Sequence, residues 1–176
     1  MIKPTVQIGD KIIRQKAKTV RAVLITKTQK TIKDLIDSMR HYNLVGMAAP
    51  QVGENYRIFV SEIRKTTYRK NVTESDSLKV FINPRIVQRS KKQVGGYEGC
   101  GSVANAQLFG VVKRSESVVC KALDKNGKPF EVKASGLLAR VIQHEIDHLD
   151  GVVFLDRVND MKTLVDVKTY HSSQNR

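Results

Sequence analysis

Residues 135–150, SGLLARVIQHEIDHLD, decide how this chain is read. Leu137, Val141, His144 and His148 recur at helical spacing on one face, and Leu138, Ile142, Glu145 and Leu149 on the next. Arg140, Gln143, Asp147 and Asp150 take the third, polar face. With Ser135 as N-cap and Gly151 as the stop, the pattern predicts a helix over about 135–150. Two histidines at i and i+4 stand one turn apart, so both imidazoles can reach one tetrahedral ion. Glu145 directly follows the first histidine and is placed to take a proton from water. All three side chains fall in the apolar part of the helix and are expected to point inward. Burying two imidazoles and a carboxylate without partners is costly, and an ion relieves that cost.

A third ligand is needed. His41 and His171 have no motif around them, and no glutamate follows Glu145. A further histidine six residues after His148 would mark one large peptidase class, but Phe154 stands there. Two cysteines remain. Cys120 sits in Val118-Val119-Cys120, an apolar strand pattern in which a thiol is usually core. Cys100 lies between Gly99 and Gly101, where backbone can approach an ion closely, and it is the expected ligand.

Around this helix the chain reads as α+β, with short antiparallel strands packed about a central metal-binding helix. A second helix is expected near 27–43, where Ile32, Leu35, Ile36 and Met39 keep helical spacing. Residues 1–24 read as an extended arm, and 62–79 as a polar surface loop. Strands are expected at 57–60, 80–82, 86–88, 111–113 and 117–123, with a glycine-rich stretch from Gly95 to Gly101. Asn126-Gly127 marks a hairpin returning through 130–133. The whole chain, 1–176, reads as one catalytic domain. Its polar tail, about 157–176, is expected to start helical and then fray.

Composition narrows the setting. Lys and Arg number 31 against 17 Asp and Glu, giving +14, so acidic partners such as RNA or the ribosome are favoured. The basic residues are spread along the chain and no aromatic stacking motif accompanies them. No apolar run reaches the length of a signal or a membrane span, which sets aside a membrane role. Two cysteines in such a chain argue against a disulfide framework and for the cytoplasm.

Three segments, taken in order, resemble the peptide deformylase family: Val45-Gly46-Met47-Ala48-Ala49-Pro50-Gln51, Glu98-Gly99-Cys100-Gly101-Ser102 and Gln143-His144-Glu145-Ile146-Asp147-His148. The likeness runs from Gln7-Ile8-Gly9-Asp10 through Asn83-Pro84 to Gly151. It implies a hydrolase that removes the N-formyl group from the initiating methionine of new polypeptides. It also implies one divalent metal on Cys100, His144 and His148, natively Fe(II), with zinc or nickel able to substitute. Glu145 would be the proton shuttle, and the Gln51 amide and Gly101 N–H the donors to the developing oxyanion. Gly46 would lie beside the substrate chain, with Leu137 and Val141 lining a pocket for an unbranched methionine side chain. Glu98 and Ser102 would brace the Cys100 loop, and Arg114 would pair with Asp147. Expected partners are N-formyl-methionyl nascent peptides and the ribosome.

The chain departs from the family pattern at Leu44, where a glycine is usual, at Gly101, where a leucine is usual, and at Ala104, where a proline is common. Loss of bulk at 101 leads to the expectation that Gly101→Leu raises activity or metal retention. Two alternatives stand beside this reading: a metallopeptidase, and a basic ribosome- or RNA-binding relative with reduced or lost activity.

Overall fold

Strand Ile58–Ile63 is buried along nearly its whole length, and this requires cover on both faces. In a computed structural model that describes residues 1–67 and 74–174, two helices supply that cover. Helix α1 (Thr26–His41) lays Ile32, Leu35 and Met39 against Ile58 and Val60, while helix α2 (Gly136–Leu149) lays Ile142, Ile146 and Leu149 against Phe59. Alternation along one strand therefore serves two separate apolar clusters.

Among the described residues, eight strands form two antiparallel sheets. The larger runs β1 (Gly46–Ala48), β2 (Ile58–Ile63), β3 (Asp76–Arg89), β6 (Ser117–Leu123) and β7 (Pro129–Ser135), in the order β1-β2-β3-β6-β7. The smaller is β4 (Gln93–Gly99), β5 (Leu108–Ser115) and β8 (Val165–Asp166), in that order. A third helix, α3 (Val167–Gln174), follows β8. The β6–β7 turn forms as expected: Gly127 takes φ 80°, and the Asp124 carboxylate accepts from the N–H groups of Asn126 and Lys128 at 2.8 and 2.9 Å.

The α+β class is as expected, but several elements differ. The strands expected at 80–82 and 86–88 are one strand, β3. Its register shifts between Ile82 and Arg85, which accommodates Pro84 without a donor and Asn83 at φ 53°. The Asn83 side chain makes two 2.9 Å hydrogen bonds with the Val20 backbone, tying the N-terminal arm to this irregularity. Of the loop expected over 62–79, the ends belong to β2 and β3, and residues 68–73 lie outside the described residues. The glycine-rich stretch from Gly95 belongs to strand β4 up to Gly99. Its glycines serve close approach: a Cβ at Gly99 would lie 2.7 to 2.9 Å from the Phe109 ring.

Nor does the C-terminal stretch fray where it is described. β8 pairs with β5, and Tyr170, 5 % exposed, stacks on Phe109 with centroids 4.1 Å apart. Since Phe109 also covers Gly99, the last helix supports the approach to Cys100. Among the described residues, no helix is long and apolar enough to cross a membrane.

Candidate metal centre

Helix α2 runs from Gly136 to Leu149. Ser135 sits extended at the N-cap position (φ −132°, ψ 173°), although its hydroxyl makes no capping bond. At the other end Gly151 turns the chain with φ 77°, and a Cβ there would lie 2.5 Å from the Arg14 carbonyl oxygen. The Ala17 N–H donates to the Leu149 carbonyl at 2.8 Å, so the N-terminal arm satisfies the helix terminus. Between these stops the polar face is not exposed. Gln143 and Asp147 are 3 and 8 % exposed because β5 lies over them. Gln143 donates to the Ser115 carbonyl at 3.0 Å and accepts from its N–H at 3.2 Å. Asp147 accepts from Arg114 and, at 2.8 and 3.1 Å, from Arg157.

His144 and His148 face the end of β4, with ring centroids 4.9 Å apart. Cys100 follows β4 directly, and its Sγ lies 3.1 Å from His148 Nε2. One donor atom from each of Cys100, His144 and His148 falls within 4.8 Å of the others. The three expected ligands therefore converge, and His41, His171 and Cys120 stand apart from them. Cys120 is fully buried in the core, where burial pushes its thiol up to about 11. Cys100 goes the other way. Burial opposes ionisation there too, but the imidazoles of His148 and His144 outweigh it and bring the thiol to about 5. A thiolate with two imidazoles suits a borderline divalent ion and leaves a tetrahedral ion one open position.

Glu98 performs a task beyond bracing the loop. Its Oε2 lies 2.9 Å from His144 Nδ1, which leaves Nε2 of that ring for an ion. Arg114 holds the same carboxylate through two 2.9 Å bonds, and Arg140 donates to Oε1 at 2.7 Å. Burial alone would raise the Glu98 carboxyl, yet Arg114 and His144 hold it well below the usual carboxylate range. Arg140 was not singled out by sequence. Its position four residues before His144 was the available signal, and it also ties down β4 through the Val94 carbonyl at 2.7 Å.

Glu145 is 4 % exposed, and burial pushes its carboxyl up to about 7 against the opposing pull of His144 and His148. Glu145 Oε2 and His148 Nδ1 are buried with no hydrogen-bond partner among the described residues. Gly46 is required at close range: a Cβ there would lie 2.4 Å from Glu145 Oε1 and 2.8 Å from Val141 Cγ1. Gln51 lies in the tight turn Ala49–Val52, 2 % exposed. Its Oε1 accepts from the Ala48 N–H at 2.8 Å, which turns the amide NH₂ toward Cys100 Sγ, 3.5 Å away. Gly46, Gln51, Gly101, Leu137, Val141 and Glu145 line one pocket that opens on Cys100 and His144. Every residue expected at the site is brought together.

A family model described as polypeptide deformylase matches residues 2–164. This chain belongs to the peptide deformylase family. A deformylase from Dictyoglomus turgidum is 42% identical over 168 residues, covering 96% of this chain and all of the relative. One from Thermomicrobium roseum is 45% identical over 156 residues, 89% of this chain and 85% of the relative. Among solved structures, a class I type b deformylase from Acinetobacter baumannii bound to Met-Ala-Ser superposes with TM-score 0.84 at 31% identity. That superposition covers 90% of this chain and 99% of the other. The Thermotoga maritima enzyme gives 0.79 at 33%, covering 91% and 99%. The deformylase activity, removal of the N-formyl group from new proteins, is accordingly the activity of this chain. A match along residues 2–164 favours it over the metallopeptidase alternative.

Proposed function

We propose that Cys100, His144 and His148 hold one divalent metal ion, natively Fe(II) with zinc or nickel able to replace it, and that Glu145 is the acid–base group of deformylation. The observation that carries this is the convergence of three buried donors within 4.8 Å beside a carboxyl raised to about 7. When bound, the ion supplies Lewis acidity, lowering the pKa of water and polarising the formyl carbonyl. Glu145 takes the proton of the attacking water and returns it to the leaving methionyl nitrogen. The Gln51 NH₂ and the Gly101 N–H donate to the oxygen that gains charge. Gly46 lets the substrate backbone pass close to Glu145, and Leu137 with Val141 receives the methionine side chain. Glu98 fixes the ring of His144 and so the direction of its free nitrogen.

The proposed setting is the cytoplasm, with residues 1–176 acting as one catalytic domain on chains leaving the ribosome. A net charge of +14 supports salt-sensitive attachment to ribosomal RNA. Because β8 and Tyr170 of the tail are part of the fold, point changes rather than truncation test the contact. Arg157 is itself engaged by Asp147, which leaves exposed Lys162 and Lys168 as the better residues to reverse to glutamate. Co-sedimentation with ribosomes should fall in that double variant and in moderate salt. Equal pelleting under all conditions would remove electrostatic attachment.

The function itself is tested by anaerobic purification, elemental analysis and an N-formyl-methionyl peptide assay. One transition metal per chain and release of formate are expected. A metal-free protein that still releases formate would overturn the metal assignment.

A further inference from the structure

Position 101 lies directly after Cys100, and its glycine leaves side-chain space that is already occupied. A Cβ built at Gly101 would lie 3.1 Å from Leu44 Cδ1 and 3.4 Å from Thr5 Cγ2. The first distance is tighter than ordinary van der Waals contact, so Leu44 fills the place into which a side chain at 101 would grow. Both residues line the same pocket, on the side formed by the approach to β1 and the loop after β4. Neither backbone is free to retreat. The Leu44 N–H donates to the Met39 carbonyl at 2.9 Å, and its carbonyl accepts from Arg64 at 3.2 Å. The Gly101 carbonyl accepts from the Gln7 amide at 2.9 Å, and the next residue, Ser102, accepts from the Ile8 N–H at 2.8 Å.

We propose that Leu44 and Gly101 are a complementary large–small pair, in which Leu44 supplies from across the pocket the apolar wall that position 101 lacks and thereby sets substrate fit. Leu137 and Val141 of α2 are given to the methionine side chain. Leu44 lines the same pocket from the β1 side, two residues before Gly46, and is left to face the rest of the peptide. Leu44 is thus a specificity-determining residue that does not touch the reacting atoms. The expectation that Gly101→Leu raises activity is replaced by its opposite, because the added side chain meets Leu44.

The test is a double-variant cycle of Leu44→Ala and Gly101→Leu, read in two ways. Thermal unfolding reads the packing and needs no assumption about function. Each single change should lower the midpoint, and the double variant should lie above the sum of the two losses, since groups in contact are not additive. Steady-state kinetics on N-formyl-methionyl peptides, varied at the second residue, read the specificity and rest on the deformylase reading. Leu44→Ala should raise KM on the order of 10-fold, the scale of a lost apolar contact, with kcat and metal content little changed. Adding Gly101→Leu should restore KM. Strict additivity of the midpoints overturns the pairing. A KM for Leu44→Ala equal to wild type at every second residue overturns the specificity role. Inactive wild type with non-additive midpoints would count against the deformylase reading and leave the pairing standing.

Discussion

Arg114→Met removes the centre of the buried ionic cluster behind the donor residues. Arg114 is 6 % exposed, bonded twice to Glu98 at 2.9 Å and once to Asp147. Removing one partner of a buried pair costs about 3–5 kcal/mol, because the charges left behind are uncompensated. Here the cost belongs at the lower end. Glu98 keeps Arg140 and His144, and Asp147 keeps Arg157. For a domain of this size each kcal/mol moves the melting temperature by about 2–4 °C, so a loss of about 3 kcal/mol corresponds to about 6–12 °C. The assay is urea unfolding of chelator-treated protein, so that metal binding does not enter, with the m value checked for constancy. Metal titration of the same variant should show affinity weaker by about 10-fold, because a loosened Glu98 no longer fixes His144. A loss under about 1 kcal/mol at unchanged m would refute the reasoning, and would mean that Arg140 and Arg157 alone neutralise the two carboxylates.

Two further changes probe other parts of the account. Gly46→Ala should displace the Glu145 carboxylate, whose Oε1 lies 2.4 Å from the new Cβ, and lower kcat by on the order of 100-fold. Wild-type turnover in that variant would show that Gly46 does not set the position of Glu145. Asp34, 5 % exposed, is tied by Lys30 at 2.6 Å and the Met1 α-ammonium at 2.7 Å; burial works against ionisation, yet these cations hold its pKa below the ordinary value. A depressed carboxylate stabilises above its unfolded pKa of about 3.9, and the effect is lost as pH falls through the folded value. Asp34→Asn should therefore be less stable than wild type at neutral pH, with the two urea midpoints converging below about pH 4. Midpoints that diverge on acidification would contradict that sign.

Much of the centre was legible because its information is local. Helical spacing in α2 set His144, Glu145 and His148 on adjoining inward faces, and two glycines flagged Cys100. Asn126-Gly127 announced its own turn. What escaped reading depends on residues distant in sequence. Gln143 looks solvated until Ser115 of β5 is laid over it, and local periodicity does not report that cover. Gly96 and Gly99 look like loop residues, but they are small because Arg140 and Phe109 press on a strand. The strands expected at 80–82 and 86–88 are one, because a register shift lets the chain pass through Asn83 and Pro84. Tyr170 carried no motif, and its value lies in stacking on Phe109. Gly101 read as missing bulk until Leu44 was found in the same space.

The central claim is that Glu145 moves the proton while Cys100, His144 and His148 hold the ion. Glu145→Gln separates the two tasks, since the amide keeps the shape of the side chain and cannot accept a proton. The decisive measurement is metal content and formate release on the same anaerobic preparation of this variant. The account predicts one metal per chain, as in wild type, with hydrolysis of an N-formyl-methionyl peptide lower by on the order of 100-fold or more. Turnover equal to wild type with the metal in place would contradict it.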